Sequence, residues 1–100
     1  MASGYLFEWD PRKAAANRRK HGISFEEATN VFGDPLAVLK VDPDHSVDEE
    51  RYLVLGMSDR RRLVVAAFAE RPPRTRLISA RPATRVEQRT YEEEPGKTAE

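Results

Sequence analysis

Four apolar, β-branched-rich runs in the later part of the chain, joined by connections too short to cross over, constrain the fold more than any other feature. They lie at Leu36–Val41, Tyr52–Met57, Leu63–Ala69 and Thr75–Ala80. Ser58-Asp59-Arg60-Arg61 separates the second run from the third, and Arg71-Pro72-Pro73-Arg74 the third from the fourth, whereas Asp42 to Glu50 makes one longer acidic loop. Parallel neighbours need a crossover of roughly a dozen residues or more, so connections this short dictate hairpins. The runs are expected as consecutive antiparallel strands.

The first third reads differently. Phe7-Glu8-Trp9 alternates as a short strand does, and Asp10-Pro11 supplies an N-cap followed by proline at the first helical position. A helix is expected from Pro11 to about Lys20, closed by His21-Gly22. Arg18, Arg19, Lys20 and His21 fill its last turn, where cations complement the dipole and glycine takes the left-handed cap. Ser24 and Glu27 have the spacing of a capping box, and Phe25, Ala28, Val31 and Phe32 share one face of a second helix that Gly33-Asp34-Pro35 stops. Thr84 and Glu87 repeat the capping spacing before a third helix, from Arg85 to about Glu93, and Pro95-Gly96 opens a frayed tail. The order β-α-α-β-β-β-β-α predicts one α+β domain over residues 1–94, an antiparallel sheet backed by helices, with a flexible acidic tail over 95–100.

Composition excludes several chemistries. With 100 residues, 39% of them hydrophobic, the core is modest. Cysteine is absent, so the chain has no disulfide, thiolate nucleophile or thiolate metal site, which suits a reducing compartment. No apolar run approaches the roughly 20 residues of a membrane-spanning helix, and the N-terminus lacks the basic-then-apolar order of a signal peptide. A cytoplasmic protein with no membrane partner is expected. Asp42, Asp44, Asp48, Glu49 and Glu50 cluster, but without the glycine and terminal acid of a calcium loop. HExxH, glycine-rich phosphate loops and Gly-x-Ser-x-Gly are all missing, so neither metal nor cofactor is expected.

A net charge of zero conceals sorting along the chain. Residues 1–50 carry six Lys/Arg against ten Asp/Glu, residues 51–91 ten Arg against three acids, and residues 92–100 one Lys against four Glu. Every cation of the middle block is arginine, whose planar fork grips phosphate through two parallel hydrogen bonds. Arg51 opens a strand, Arg76 lies within the last strand, and Arg81 falls just past its end, so these three are cationic candidates for the sheet's open face. Arg81 lies five positions after Arg76, an odd spacing that puts them on opposite faces of a regular strand. Convergence requires Arg81 to lie beyond the strand, before Pro82. On the last helix Arg85 and Arg89 share a face, as do Glu87 and Tyr91. His21 sits beside Lys20 at a helix C-terminus, where the dipole favours its charged form, while His45 is expected to be exposed. Each has a plainer alternative: solvated surface arginines, a capping histidine, Glu50 paired with an arginine, Ser79 bonded to the sheet edge, and Tyr91 packed at the core rim.

Phe7-Glu8-Trp9-Asp10-Pro11, Asn17 with Lys20-His21-Gly22, Ser24-Phe25-Glu26-Glu27-Ala28, Val31-Phe32 with Asp34-Pro35, Glu50-Arg51, and Leu77-Ile78-Ser79-Ala80-Arg81 together resemble the BrnT toxin family. The resemblance runs from Phe7 to Tyr91. It departs at Arg60-Arg61-Arg62, where the family pattern favours a glycine. It implies a RelE-like ribonuclease fold, RNA cleavage that arrests translation, and neutralisation by a BrnA-type antitoxin. Operator DNA would be reached only through the antitoxin complex, in which a dimer is open. Catalytic or substrate roles carry over to Lys20, His21, Glu50, Arg51, Arg76, Ser79, Arg81 and Tyr91. Chemically, RNA brings its own nucleophile, the 2′-hydroxyl, so a metal-independent endoribonuclease needs only a base, an acid and cations for the charge that builds on phosphorus. Arg51, Arg76 and Arg81 are then expected to clamp the phosphate and His21, Glu50 or Tyr91 to move protons. Lys20, Ser79, Arg85 and Arg89 bind substrate. The competing readings are a non-catalytic nucleic-acid binder and a protein-interaction module.

Overall fold

The computed structural model describes residues 5–42 and 49–99. Asp44, His45 and Asp48 of the acidic loop lie outside the described residues.

Local signals set the helices. Asp10 accepts a hydrogen bond from the Arg12 N–H at 2.8 Å and starts α1 (Pro11–His21), which Gly22 ends at φ 73° with its N–H donating to Arg18 O. Ser24 starts α2 (Phe25–Thr29) by accepting from the Glu27 N–H at 3.0 Å, and the chain then tightens into a 3-10 turn over Asn30–Gly33. The carboxylate of Glu27 does not turn back to the cap as the capping-box spacing predicts. It accepts from Arg62 and, at 2.7 Å, from the Ser58 hydroxyl, because a buried carboxylate needs its charge met. Those contacts tie α2 to the turn between the middle strands.

β2 (Val38–Val41), β3 (Arg51–Met57), β4 (Leu63–Arg71) and β5 (Arg74–Pro82) pair antiparallel in sequence order, as their short connections require. Both edges are parallel additions: β1 (Phe7–Glu8) joins β5 and β6 (Thr98–Ala99) joins β2, which gives the order β1-β5-β4-β3-β2-β6. The sheet is therefore mixed, not wholly antiparallel. The stretch read as a frayed tail is partly ordered, for a physical reason. The outer edge of β2 offers unpaired backbone groups; Leu39 N–H donates to Lys97 O at 3.0 Å, and Gly96 N–H donates to Leu36 O at 2.8 Å.

One face of the sheet carries the main core. Val54, Val64, Ala66, Phe68, Leu77 and Ala80 meet Ile23, Phe25, Ala28 and Val31 there. Where β1 stops, Asn17 of α1 continues the ladder along the β5 edge, donating to Ala80 O at 2.8 Å and accepting from Ala80 N–H at 3.0 Å. On the other face α3 (Arg85–Glu93), opened by the full Thr84–Glu87 capping box, lies near Val38, Leu55 and Val65 but buries no residue of its own. Among the described residues no helix is long and apolar enough to cross a membrane.

Candidate functional site

Register decides which side chains share the face that α3 half covers. Arg51 pairs with Ala69, Ala69 with Arg76, and Arg76 with Glu8. The Asp42 N–H donates to Arg51 O at 2.8 Å and carries the β2–β3 ladder one residue past Val41 and Tyr52. One row thus crosses the sheet as Asp42, Arg51, Ala69, Arg76, Glu8. Laterally paired residues point to the same side, so two arginines flank a methyl group and each has a carboxylate on its outer side. Their Cα atoms lie two strand spacings apart, about 10 Å. The next rows hold Leu53, Ala67 and Ser79, then Leu55, Val65 and Arg81.

Arg81 lies inside β5, not beyond its end, and it still shares a face with Arg76. Ala67 pairs with Ser79 while Phe68 pairs with Leu77, which leaves Ile78 as one extra residue. This bulge shifts the alternation by one, so the odd spacing of Arg76 and Arg81 becomes an even one across the sheet. Arg76, Ser79 and Arg81 emerge on one side.

Asp42, Arg51, Leu53, Ala67, Ile78, Ser79 and Arg81 line a cavity of about 330 Å³. The small side chain of Ala67 on the central strand lies between Leu53 and Ser79 in its row, with Arg81 in the next row beside Val65. Glu49, gripped by Arg71 at 2.8 and 3.0 Å, is held below the usual carboxylate range first by those hydrogen bonds. It also feels the charges of Arg51 and Arg76, so both lie within electrostatic reach of a single anion. Glu8 accepts from Arg76 at 3.1 Å and lies 3.9 Å from Arg74. Arg81 grips Glu87 of α3 at 2.8 and 2.9 Å, and chiefly for that reason the Glu87 carboxyl is lowered to about 2 despite the opposing effect of burial.

The structure brings Arg51, Ser79 and Arg81 together around the cavity, with Arg76 in the adjoining row. The other expected residues stand elsewhere. Lys20 and His21 end α1 in the helical layer, and neither lines the cavity. Glu50 accepts from the Tyr52 hydroxyl at 2.8 Å, and Tyr52 belongs to the row of Phe68 on the core face, so Glu50 turns away from its neighbour Arg51. The Tyr91 hydroxyl donates to Asp34 at 2.6 Å; burial, then that bond, pushes it up to about 12 and makes it a tie between α3 and the start of β2. Arg85 and Arg89 are exposed on α3. Three carboxylates around the arginines carry no such signal in the sequence: Asp42 reads as a loop acid, Glu8 as the middle residue of a short strand and Glu87 as a cap. The alternation of Ala67 and Ala69 on one side of β4 was the available signal for a hollow. His45 and most of the acidic loop lie outside the described residues, among which no three His, Cys, Asp or Glu gather as a metal site.

A family model described as the ribonuclease toxin BrnT of type II toxin–antitoxin systems matches residues 9–87. That span takes in every lining residue of the cavity and leaves out Glu8, Arg89 and Tyr91. Among solved structures, the chain is similar to the crystal structure of the Brucella abortus ribonuclease toxin BrnT, with a TM-score of 0.60 and 21% identity over 81% of this chain and 99% of that one. At that identity the likeness is one of fold. Comparison with curated proteins gives no match. The family match spans most of the chain, and on it this protein belongs to the BrnT family of ribonuclease toxins of type II toxin–antitoxin systems.

Proposed function

We propose that the chain cuts RNA in the arginine-lined cavity without a metal ion, by attack of a 2′-hydroxyl on the adjacent phosphorus. The observation that supports this most is the row in which Arg51 and Arg76 flank Ala69, with Ser79 and Arg81 on the rows beside it. A phosphodiester over the two alanines meets guanidinium forks from both sides, and those donors are already in place when charge builds on phosphorus. Loss of one such donor lowers cleavage roughly 10²- to 10³-fold. Ser79 donates to a phosphate oxygen. Arg85 and Arg89 extend the cationic surface over α3 and contribute to binding more than to cleavage, with Lys20 a further contact for a longer RNA.

The consequence is arrested translation, with the reaction in the cytoplasm. A BrnA-type antitoxin neutralises the toxin by placing acids on the arginines, as Glu8 and Glu87 of the chain itself already do at the margin. The antitoxin carries the DNA-binding part, so operator DNA is reached only through the complex. RNA incubated with pure protein in excess chelator is expected to yield ends bearing a 2′,3′-cyclic phosphate. Intact RNA, or cleavage that stops on chelation, would contradict the reading.

A further inference from the structure

We propose that the exposed face of α1 is a second RNA-binding surface, which holds the sugar–phosphate backbone of the substrate outside the cleft. This surface extends the ribonuclease reading, on which it rests, from the scissile phosphate to the rest of the strand. In its 11 residues α1 carries Arg12, Lys13, Arg18, Arg19 and Lys20, all exposed, and no acid. Helical periodicity places Arg12, Lys13, Arg19 and Lys20 on one side, with the small Ala16 between the two pairs. The pairs stand about 10 Å apart along the axis, and a backbone can approach the helix closely between them.

Pairing and position both separate this face from ordinary solvated charge. The arginines of the sheet and its turn are matched by acids: Arg62 by Glu27, Arg71 by Glu49, Arg74 and Arg76 by Glu8, and Arg81 by Glu87. Among the described residues none of the five α1 cations forms an ion pair. Arg18, Arg19 and Lys20 complement the negative end of the helix dipole, but Arg12 and Lys13 occupy the first turn, where the dipole is positive and favours acids. Asp10 caps the helix by accepting from the Arg12 N–H, which leaves both first-turn side chains facing solvent. Cations there lower stability, so their charge is explained by a partner that carries the opposite one.

The partner follows from charge and from continuity with the cleft. Asn17 of α1 bonds both backbone groups of Ala80, whose neighbours Ser79 and Arg81 line the cavity. α1 therefore borders the β5 side of the cleft, and a strand that leaves the scissile site across that edge meets the helix. Side-chain cations on phosphates fix position without reading bases, so the face adds affinity for longer RNA and no sequence preference.

The test is affinity for uncleavable 2′-O-methyl RNA of two lengths, one short enough to fill the cleft alone and one longer, across a range of salt, with the urea midpoint of each variant. The parent chain is expected to bind the longer RNA more tightly and with steeper salt dependence. R12Q/K13Q is expected to weaken that binding, with the slope of log affinity against log salt falling by roughly 0.7 for each phosphate contact removed. It should bind the short RNA, and cut its unmethylated form, as the parent does, and its urea midpoint should rise. R19Q, on the same face but in the last turn, is expected to weaken binding of the longer RNA while lowering the midpoint. Affinity falling at both positions while stability moves in opposite directions sets binding apart from folding. Parent-like affinity of R12Q/K13Q for the longer RNA, or equal losses for the two lengths, would overturn the proposal. Unchanged RNA affinity together with lost binding of a polyglutamate peptide would overturn it in favour of an acidic protein partner. A parent chain that binds the longer RNA through α1 but cuts none overturns the cleavage reading alone, whereas one that cuts RNA but gains no affinity from added length overturns this proposal alone.

Discussion

The two faces of this sheet are held in opposite ways. On one, α1 and α2 seal Ile23, Phe25, Ala28 and Val31 completely against the strands, and Glu27 and Asn17 meet buried partners. On the other, α3 buries nothing of its own and is fastened by two polar ties, Arg81 with Glu87 and Tyr91 with Asp34. Stability resides in the first face. The second keeps its arginines accessible at the expense of packing, and one of its ties occupies a guanidinium that the proposed chemistry uses.

The sharpest contrast is between one apolar side chain on each side of this division. Replacing Phe25, which is wholly buried, with alanine is expected to lower stability by about 3–5 kcal/mol in urea unfolding. Val86→Ala on α3, where the side chain is 69% exposed, should stay within about 0.5 kcal/mol. Comparable losses at the two positions would break the comparison.

A smaller effect separates the polar ties from the core. The Glu87 carboxyl sits near 2, below its ordinary value of 4.5, so the Arg81 pair contributes fully above about pH 4.5 and is lost as pH falls toward 2. Partial exposure of both side chains limits the contribution to about 1 kcal/mol. Glu87→Gln is expected to lower stability by that much at pH 7 and to flatten the acid dependence between pH 4.5 and 2. Thermal melts at both ends of the range check it, and an unaltered acid profile would mean that other carboxylates govern. The same change releases Arg81, so salt-sensitive RNA affinity should rise.

The smallest expected change concerns the turn before β4. Arg61 takes a left-handed conformation at φ 62°, at the turn where the family resemblance favours glycine. Arg61→Gly should raise stability by up to about 1 kcal/mol, visible as a higher urea midpoint at unchanged slope.

Local features were legible in the sequence, and long-range ones were not. Asp10-Pro11 and Gly22 mark α1 because caps act within a few residues, and the central hairpins follow from loops too short for any other connection. The parallel edges gave no signal, since Phe7 meets Thr75 and Leu39 meets Thr98 only after the rest of the chain has folded between them. For the site, alternation was counted as though β5 were regular. The count failed at Ile78, where pairing with β4 inserts a bulge that no local residue announces. Glu50 and Arg51 are adjacent in sequence and point to opposite faces, so a motif that reads as one unit is divided by the pleat. Asp42 is the converse, a loop acid by sequence that the last ladder bond brings in beside Arg51.

The most direct measurement of the central claim is the cleavage rate of Arg51→Ala and of Arg76→Ala, taken alongside the urea midpoint of each. The account predicts a fall of roughly 10²- to 10³-fold in rate for either variant, with the unfolding free energy drawn from the midpoint within about 0.5 kcal/mol of the parent. Parent-like cleavage by both variants would contradict it.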